Sequence, residues 1–546
     1  MRTARAPARC LQCLLRPSIP QRPAPAASRF FHASRQLRAS DEPSGPRITN
    51  TKQEPQQPLN DLGDDALGPR RPSTAPKPVV DIRHIRQNPA LYEQNCLERN
   101  YRAQAAFPAR INLLFDQWQD RQREGRALRE RSNLLRRHLA NPNTTALADD
   151  GTDASAADLH GRPRDDVLAE ARDLKARLAA IEDAEAGLQD EMERLALAVP
   201  NLTSDQTPRG DEALVLSYIN DRPEPRGRES DRVWRSHVHI GSELGILDFA
   251  AAAATSGWGW YYLVGEAAQL EQALVQYALT VASRAGWTQV APPSMVYSHI
   301  ASACGFQPRD QNGEQQIYAV ARPQRDRDGG RSPELCLAGT AEIPLAGMKA
   351  ESQLDETELP ARRVGVSRSY RAEAGARGAE TKGLYRVHEF TKVELFAWTE
   401  PTPRAAAEVF DEVVDLQTEM LGSLGLHCRV LEMPASDLGA SATRKCDIEA
   451  FFPSRAELRG RGWGEVTSAS ICSDYQTRRL ATRVRYDGKM TYPWTVNGTA
   501  MAVPRVLAAI LEHGWDEGEM TVAIPEVLRP WMDGKDKIGP PKHRLR

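Results

Sequence analysis

Between Ser369 and Leu395 the chain reads Ser-Tyr-Arg-Ala-Glu-Ala-Gly-Ala-Arg-Gly-Ala-Glu-Thr-Lys-Gly-Leu-Tyr-Arg-Val-His-Glu-Phe-Thr-Lys-Val-Glu-Leu. Two strand-like runs flank a loop carrying Gly375, Gly378 and Gly383, which is the pattern of a long antiparallel hairpin. Side chains alternate along a strand, so Arg386, His388, Phe390, Lys392 and Glu394 are expected on one face of the second run. Arg371 and Glu373 share a parity on the first. A guanidinium fork can grip phosphate, a ring can stack on a purine, and a carboxylate can hold an ammonium group. The combination suits a nucleotide together with an amino acid; a solvated face laced with ion pairs is the alternative.

Arg-x-Glu, the glycine-bearing loop and Arg-Val-His-x-Phe-x-Lys-Val-Glu together resemble motif 2 of seryl-tRNA synthetases. The likeness extends from about Asp81 to about Asp533. Tyr261 to Gly265, a helix from Glu266 to Ala285 and Thr288 to Pro293 resemble motif 1, which implies a homodimer. Thr340-Ala-Glu342 resembles the serine loop. Gly464-Glu465-Val-Thr-Ser468, followed by Asp474-Tyr-Gln476-Thr-Arg478-Arg479, resembles the segment before motif 3, and Thr495 to Arg505 resembles motif 3 itself. Ala500 and Pro504 stand where the bacterial pattern has glycines, and Ala469 and Ile471 where it has cysteine and asparagine. These departures leave the phosphate-binding charges in place and read as a divergent organellar subtype. Proline fits only the first turn of a helix, so the motif 3 helix is expected to start near Ala502.

The resemblance implies an α+β fold: an antiparallel-sheet class II catalytic domain with flanking helices, plus an N-terminal coiled-coil arm. It implies that L-serine and ATP give seryl-adenylate and pyrophosphate, and that the seryl group then passes to the 3′ end of tRNA(Ser). Arg371, Glu373, Arg386, Val387, Phe390, Glu465, Ser468 and Arg505 are the expected ATP site. Thr340, Glu342, Arg371, Glu394, Asn497 and Thr499 are the expected serine site, and Glu465 and Ser468 offer hard oxygen ligands to Mg2+ carried by ATP. No phosphate loop of the Gly-x-x-x-x-Gly-Lys-Ser/Thr kind occurs. Only some forty residues follow motif 3, so no C-terminal anticodon domain is expected. Two rivals remain: a non-catalytic synthetase-like RNA-binding protein, and a serine ligase acting on a carrier protein.

Apolar positions Ile111, Leu114, Trp118, Gly125, Leu128, Leu135 and Leu139 recur at three- and four-residue spacing, with Arg121 and Ser132 interrupting. The pattern resumes at Val167 with Ala171, Leu174, Leu178, Ile181, Leu188, Met192 and Leu195. Two matched seams predict an antiparallel coiled-coil hairpin with helices over about 108–140 and 165–198, each about 45 Å long. Arg110, Arg121, Arg123, Arg126, Arg129, Arg131, Arg136 and Arg137 load its first helix. In the resembling family such an arm lies along the tRNA, so these arginines are expected phosphate contacts; solubility alone is the plainer reading.

The first forty residues hold eight arginines and no acidic residue, the composition of a mitochondrial transit peptide, and a basic RNA-touching arm is the alternative. The matrix is therefore the expected compartment. Taking a leader of +8 from a chain of −2 leaves about −10, so nucleic-acid contact must come from local patches. Eight scattered cysteines support neither a zinc pattern nor a disulfide framework, and no zinc is expected. No apolar run of about 18 residues occurs, and no membrane partner is expected. The expected domains are a leader (1–40), a linker (41–78), a tRNA-binding domain with the arm (79–205), the catalytic domain (206–534) and a basic tail (535–546).

Overall fold

A computed structural model describes residues 75–140, 159, 162–222, 235–306, 316–321, 334–373, 383–456 and 462–540. The expected leader, nearly all of the linker, the arm tip at 141–158, Gly375 and Gly378, and tail residues 541–546 lie outside them.

After Asp81 the chain turns directly into short helices, Ile82–Gln87 and Pro89–Glu98. The reason is local: the Asp81 carboxylate accepts the His84 N–H at 2.9 Å and caps the first of them. The arm follows as α1 (Phe107–Ala140) and α2 (Arg164–Ala198). Ile111 and Leu114 pack with Met192 and Leu195 near its base, and Leu135 packs with Leu159, Val167 and Leu174 towards its tip.

A buried polar layer separates these clusters at the point where Arg121 and Ser132 broke the apolar pattern. Gln122 and Arg129 both donate to Glu185, the Arg129 Nη2 bond measuring 3.1 Å, and Glu185 is only 8% exposed. Gly125 makes the room, since a Cβ there would stand 3.0 Å from Arg129 Nη1. Any slip of register would leave Glu185 buried without its partners, so the layer disfavours shifted pairings.

The second body is built on one eight-stranded sheet. Its strands are β1 (Leu214–Ile219), β2 (Thr288–Val290), β3 (Ala361–Tyr370), β4 (Glu389–Thr399), β5 (Cys428–Glu432), β6 (Arg444–Phe451), β7 (Trp463–Ser473) and β8 (Trp494–Ala502). They lie in the order β1-β5-β6-β7-β8-β4-β3-β2, antiparallel except where the edge strand β2 runs parallel to β3. Helices α3 (Glu266–Arg284), α4 (Pro403–Ser423) and α5 (Val503–Gly514) share a core with the sheet. Along β4 the alternation is plain: Val393, Leu395 and Ala397 join that core, and Phe390, Lys392 and Glu394 take the other face.

Two of the bulges in the middle of the sheet shape the site. Ile448 pairs with Thr467 but Glu449 pairs with Glu465, so Val466 is an extra residue in β7. Glu465 and Ser468 are three apart and would fall on opposite faces of a regular strand; the extra residue brings them to one face. In β8, Thr499 pairs with Glu394 and Met501 with Val393, which makes Ala500 the extra residue there. The Thr499 carbonyl at this bulge is taken up by Thr467 Oγ1 and by the fully buried Gln417 of α4, whose Nε2 donates to it at 2.9 Å and to the Ser468 carbonyl at 2.8 Å. Helix and sheet meet so closely that a Cβ on Gly498 would lie 2.4 Å from Val413 Cγ1.

Short polar bonds tie the base of the arm to this body. Arg99 donates to the carbonyls of Asn201 and Gly439, and Asn201 Nδ2 donates to the carbonyls of Ser441 and Cys472, both at 2.9 Å. Arg479 donates to the Leu197 carbonyl at 3.0 Å.

Candidate functional site

Three strands and one helix converge on a single cavity on the face opposite α3 and α4. It is lined by Arg371, Glu373, Tyr385, Arg386, Val387, Phe390, Lys392, Glu465, Val466, Thr467, Ser468, Thr499, Ala502, Pro504 and Arg505. Every residue expected for the nucleotide is among them, gathered from segments more than a hundred residues apart. Arg371, just past the end of β3, lies 5.3 Å from the centre of the Phe390 ring and points its Nε towards the Gly339 carbonyl at 3.5 Å. Arg505 enters from the first turn of α5, which starts at Val503, one residue past Ala502, with Pro504 in that first turn. Its Nε donates to the Tyr385 carbonyl at 3.2 Å and its Nη1 stands 3.2 Å from Glu465 Oε1.

The alternation expected from Arg386 onwards is corrected by the structure. Strand β4 begins only at Glu389, so Arg386 and His388 do not share a face with Phe390 through strand geometry. Irregular backbone still brings Arg386 to the cavity wall, where it pairs with Glu373. His388 turns away, stacking on Trp260 at 5.9 Å and bonding Tyr318 Oη at 2.9 Å.

Behind the cavity lies a smaller polar nest made of the residues expected for the amino acid. Lys392 Nζ stands 2.6 Å from Glu394 Oε2 and donates to Thr340 Oγ1 at 3.1 Å. Glu342 accepts from Gln476 Nε2 at 2.6 Å and from Asn497 Nδ2 at 3.2 Å. Thr340, Glu342, Glu394 and Thr499 are all buried. Lys392 and Gln476 were not assigned from sequence, although each stood inside a recognised motif. Lys392 carries a readable signal, because two residues on one strand face at i and i+2 must meet. Gln476 carries none, since its bond to Glu342 spans 134 positions.

A second cavity, of about 340 Å3, opens beside Trp260, Glu271, Arg368 and Glu389. Arg368 is its lining cation and is held by Glu389 at 2.8 Å and Glu271 at 3.4 Å, so no charge is left there for a phosphate.

The electrostatics separate the two carboxylates. Burial alone would raise the Glu465 carboxyl, but Arg505 above all, with Lys445 and Arg371, holds it well below the usual range. It is an oxygen donor kept charged. Glu342 goes the other way: burial first, and then the neighbouring Glu394 carboxylate, push it up to about 7 against the pull of Lys392. The folded chain therefore binds this proton more tightly than the unfolded chain does. The burden on folding is full above pH 7 and vanishes as pH falls through the ordinary carboxylate range, a change of roughly 3 kcal/mol. Thermal melts at pH 5 and pH 8 test this: Glu342→Gln is expected to remove most of the wild-type loss of stability with rising pH. An unchanged pH slope in the variant refutes the assignment.

The arm arginines divide into two sets. Arg110 pairs with Glu191, Arg121 with Glu124, Arg123 with Asp120, Arg129 with Glu185, and Arg131 with Glu170. Arg126, Arg136 and Arg137 are exposed and have no ion pair among the described residues.

Residues 79–203 match the family described as seryl-tRNA synthetase N-terminal domain, and residues 325–514 match the tRNA synthetase class II core domain of the G, H, P, S and T group. The mitochondrial serine–tRNA ligase of Saccharomyces cerevisiae is 44% identical over 345 residues, covering 62% of this chain and 72% of that one. The mitochondrial serine–tRNA ligase of Schizosaccharomyces pombe is 38% identical over 463 residues, covering 83% and 88%. Among solved structures, seryl-tRNA synthetase from Pyrococcus horikoshii complexed with ATP superposes with a TM-score of 0.72 at 30% identity, covering 85% of this chain and 100% of that one.

Proposed function

This chain belongs to the seryl-tRNA synthetase family and is a serine–tRNA ligase of the mitochondrial type; from that premise we propose that the cavity between β4, β7 and α5 holds ATP and that the nest around Lys392 holds serine. The convergence of Arg371, Arg505, Phe390 and Glu465 on one cavity carries the reading. Phe390 offers its ring to adenine, and Arg386 and the Val387 backbone hold the rest of the nucleotide. Arg505 takes the γ-phosphate, and Arg371 bridges the α-phosphate and the serine carboxylate. Glu342 and Glu394 take the ammonium and hydroxyl groups, with Thr340, Asn497 and Thr499 closing the nest. No protein nucleophile is needed, because the serine carboxylate attacks the α-phosphate and the chain's part is positioning and charge neutralisation.

Among the described residues no group of three or more His, Cys, Asp or Glu gathers as it would around a metal held by protein alone. Glu465 and Ser468 supply two hard oxygens on one face, which suits Mg2+ that completes its shell from phosphate and water. When bound, that ion would neutralise charge on the phosphates. Large apolar side chains left exposed around α3, Trp258 (62%), Tyr262 (44%) and Val264 (47%), support a homodimer through this region. The arginine-rich, acid-free first forty residues support delivery to the matrix; a reporter fused behind them that stays in the cytosol would remove that part.

Serine-dependent exchange of pyrophosphate into ATP tests the whole. Exchange is expected with serine and not with alanine, whose missing hydroxyl leaves buried polar groups unpaired at a penalty of about 10⁴-fold or more. Glu394→Ala is expected to abolish the preference. Folded protein with no exchange above background would restore the RNA-binding rival. Sedimentation of the same protein as a monomer would exclude the dimer.

A further inference from the structure

Ser236-His237-Val-His-Ile-Gly241 leads into the catalytic body and has no part in the site described above. His237 is nevertheless 2% exposed and bonded on both sides of its ring. Its Nδ1 and its main-chain N–H both stand within reach of Glu512 Oε1, at 2.9 and 3.1 Å, and Glu512 Oε2 accepts the Ser454 N–H at 3.3 Å. On the opposite side, the Leu384 N–H donates to His237 Nε2 at 3.1 Å. That bond requires a bare Nε2, so the ring proton sits on Nδ1 and is donated to Glu512.

The backbone is built around this contact. Gly383 has φ +75°, and a Cβ there would stand 2.3 Å from His237 Nε2 and 2.4 Å from Val238 Cγ2. Leu384 follows Gly383 directly, and the three residues after it are Tyr385, Arg386 and Val387, all on the cavity wall. The Tyr385 carbonyl is the acceptor for Arg505 Nε. A continuous path therefore runs from Glu512 in α5 through the imidazole to the Leu384 amide, and one residue later back to Arg505 in the same helix.

We propose that His237 is a positioning residue for ATP: by pinning the Leu384 amide it sets where Tyr385, Arg386 and Val387 stand and how Arg505 is aimed. This rests on the nucleotide-site reading above. Serine, held by Lys392, Glu342 and Glu394 on the far side of Arg371, lies outside the path. The expected signature is a rise in KM for ATP with KM for serine unchanged.

Two amides separate the contacts. In His237→Asn the side-chain amide reaches only the Nδ1 position, keeping Glu512 and losing Leu384. In His237→Gln the longer side chain places an oxygen at the Nε2 position and keeps an acceptor for Leu384. In pyrophosphate exchange, His237→Asn is expected to raise KM for ATP about tenfold, with KM for serine within twofold and only a small fall in melting temperature. His237→Gln is expected to stay near wild type. Gly383→Ala, which intrudes on the same bond without replacing the histidine, is expected to repeat the signature of His237→Asn, and it serves as the test should that variant not fold.

Equal losses in His237→Asn and His237→Gln spread over both KM values and kcat would show a merely structural histidine and overturn the proposal. So would wild-type kinetics in His237→Asn or, where that variant does not fold, in Gly383→Ala. Arg505→Ala, run alongside, keeps the two readings apart. If Arg505→Ala leaves KM for ATP unchanged, the nucleotide site itself is wrong; if it raises that KM and His237→Asn does not, only the histidine's role falls.

Discussion

Replacing Arg371 by alanine is expected to lower serine-dependent pyrophosphate exchange by about 10²- to 10³-fold, the size seen when a preorganised donor to developing charge is removed. Arg371 stands where both substrates would meet, one side against the Phe390 ring and the other towards the Gly339 carbonyl of the serine loop. Burial, and after it the guanidinium of Arg505, lower its hold on its own proton. Two like charges kept together in an enclosed space are unfavourable in the free protein, and a polyphosphate placed between them relieves that strain. Lysine keeps the charge but not the planar fork, so Arg371→Lys should recover only a small part of the lost rate. The measurement is kcat/KM for exchange, with the melting temperature as a check on folding. Activity within threefold of wild type in a folded Arg371→Ala would exclude phosphate and carboxylate bridging by this residue.

The second large effect is expected in the arm. Replacing residues 121–185 by a short glycine-containing turn removes the polar layer and the outer apolar cluster. The base, where Ile111, Leu114 and Trp118 pack with Leu188, Met192 and Leu195, is left intact. Bonds from Arg99, Asn201 and Arg479 still hold that base to the catalytic body. Adenylate chemistry should therefore stay within about twofold, while charging of tRNA should fall by 10²-fold or more. The same variant separates this ligase from one acting on a carrier protein, which would not need the arm. Within the intact arm, reversing Arg126, Arg136 and Arg137 should reduce the slope of log affinity against log salt by about 2 to 3. Arg121 and Arg123, already paired with Glu124 and Asp120, should matter much less. Equal loss of charging and exchange on shortening the arm would contradict its assignment to tRNA.

What the sequence determined by itself is what neighbouring residues encode. Periods of 3.6 and 2 placed the arm helices within a residue of Phe107–Ala140 and Arg164–Ala198, and put Phe390, Lys392 and Glu394 on one face of β4. A proline that only a first turn accepts located the start of α5. Tertiary structure decided whatever depends on partners distant in the chain. The bulge at Val466 turns Glu465 to the same face as Ser468, and it exists because β6 pairs out of step with β7 there. Five of the eight expected tRNA contacts on α1 are paired with carboxylates, three of them on α2, because a coiled coil brings opposite charges into register across the seam. His237 carries no local pattern that marks it; folding alone sets it between Glu512 and Leu384, which are 275 and 147 positions away. Local pattern states what each segment can become; a hydrogen bond between segments that far apart leaves no periodic trace in either of them.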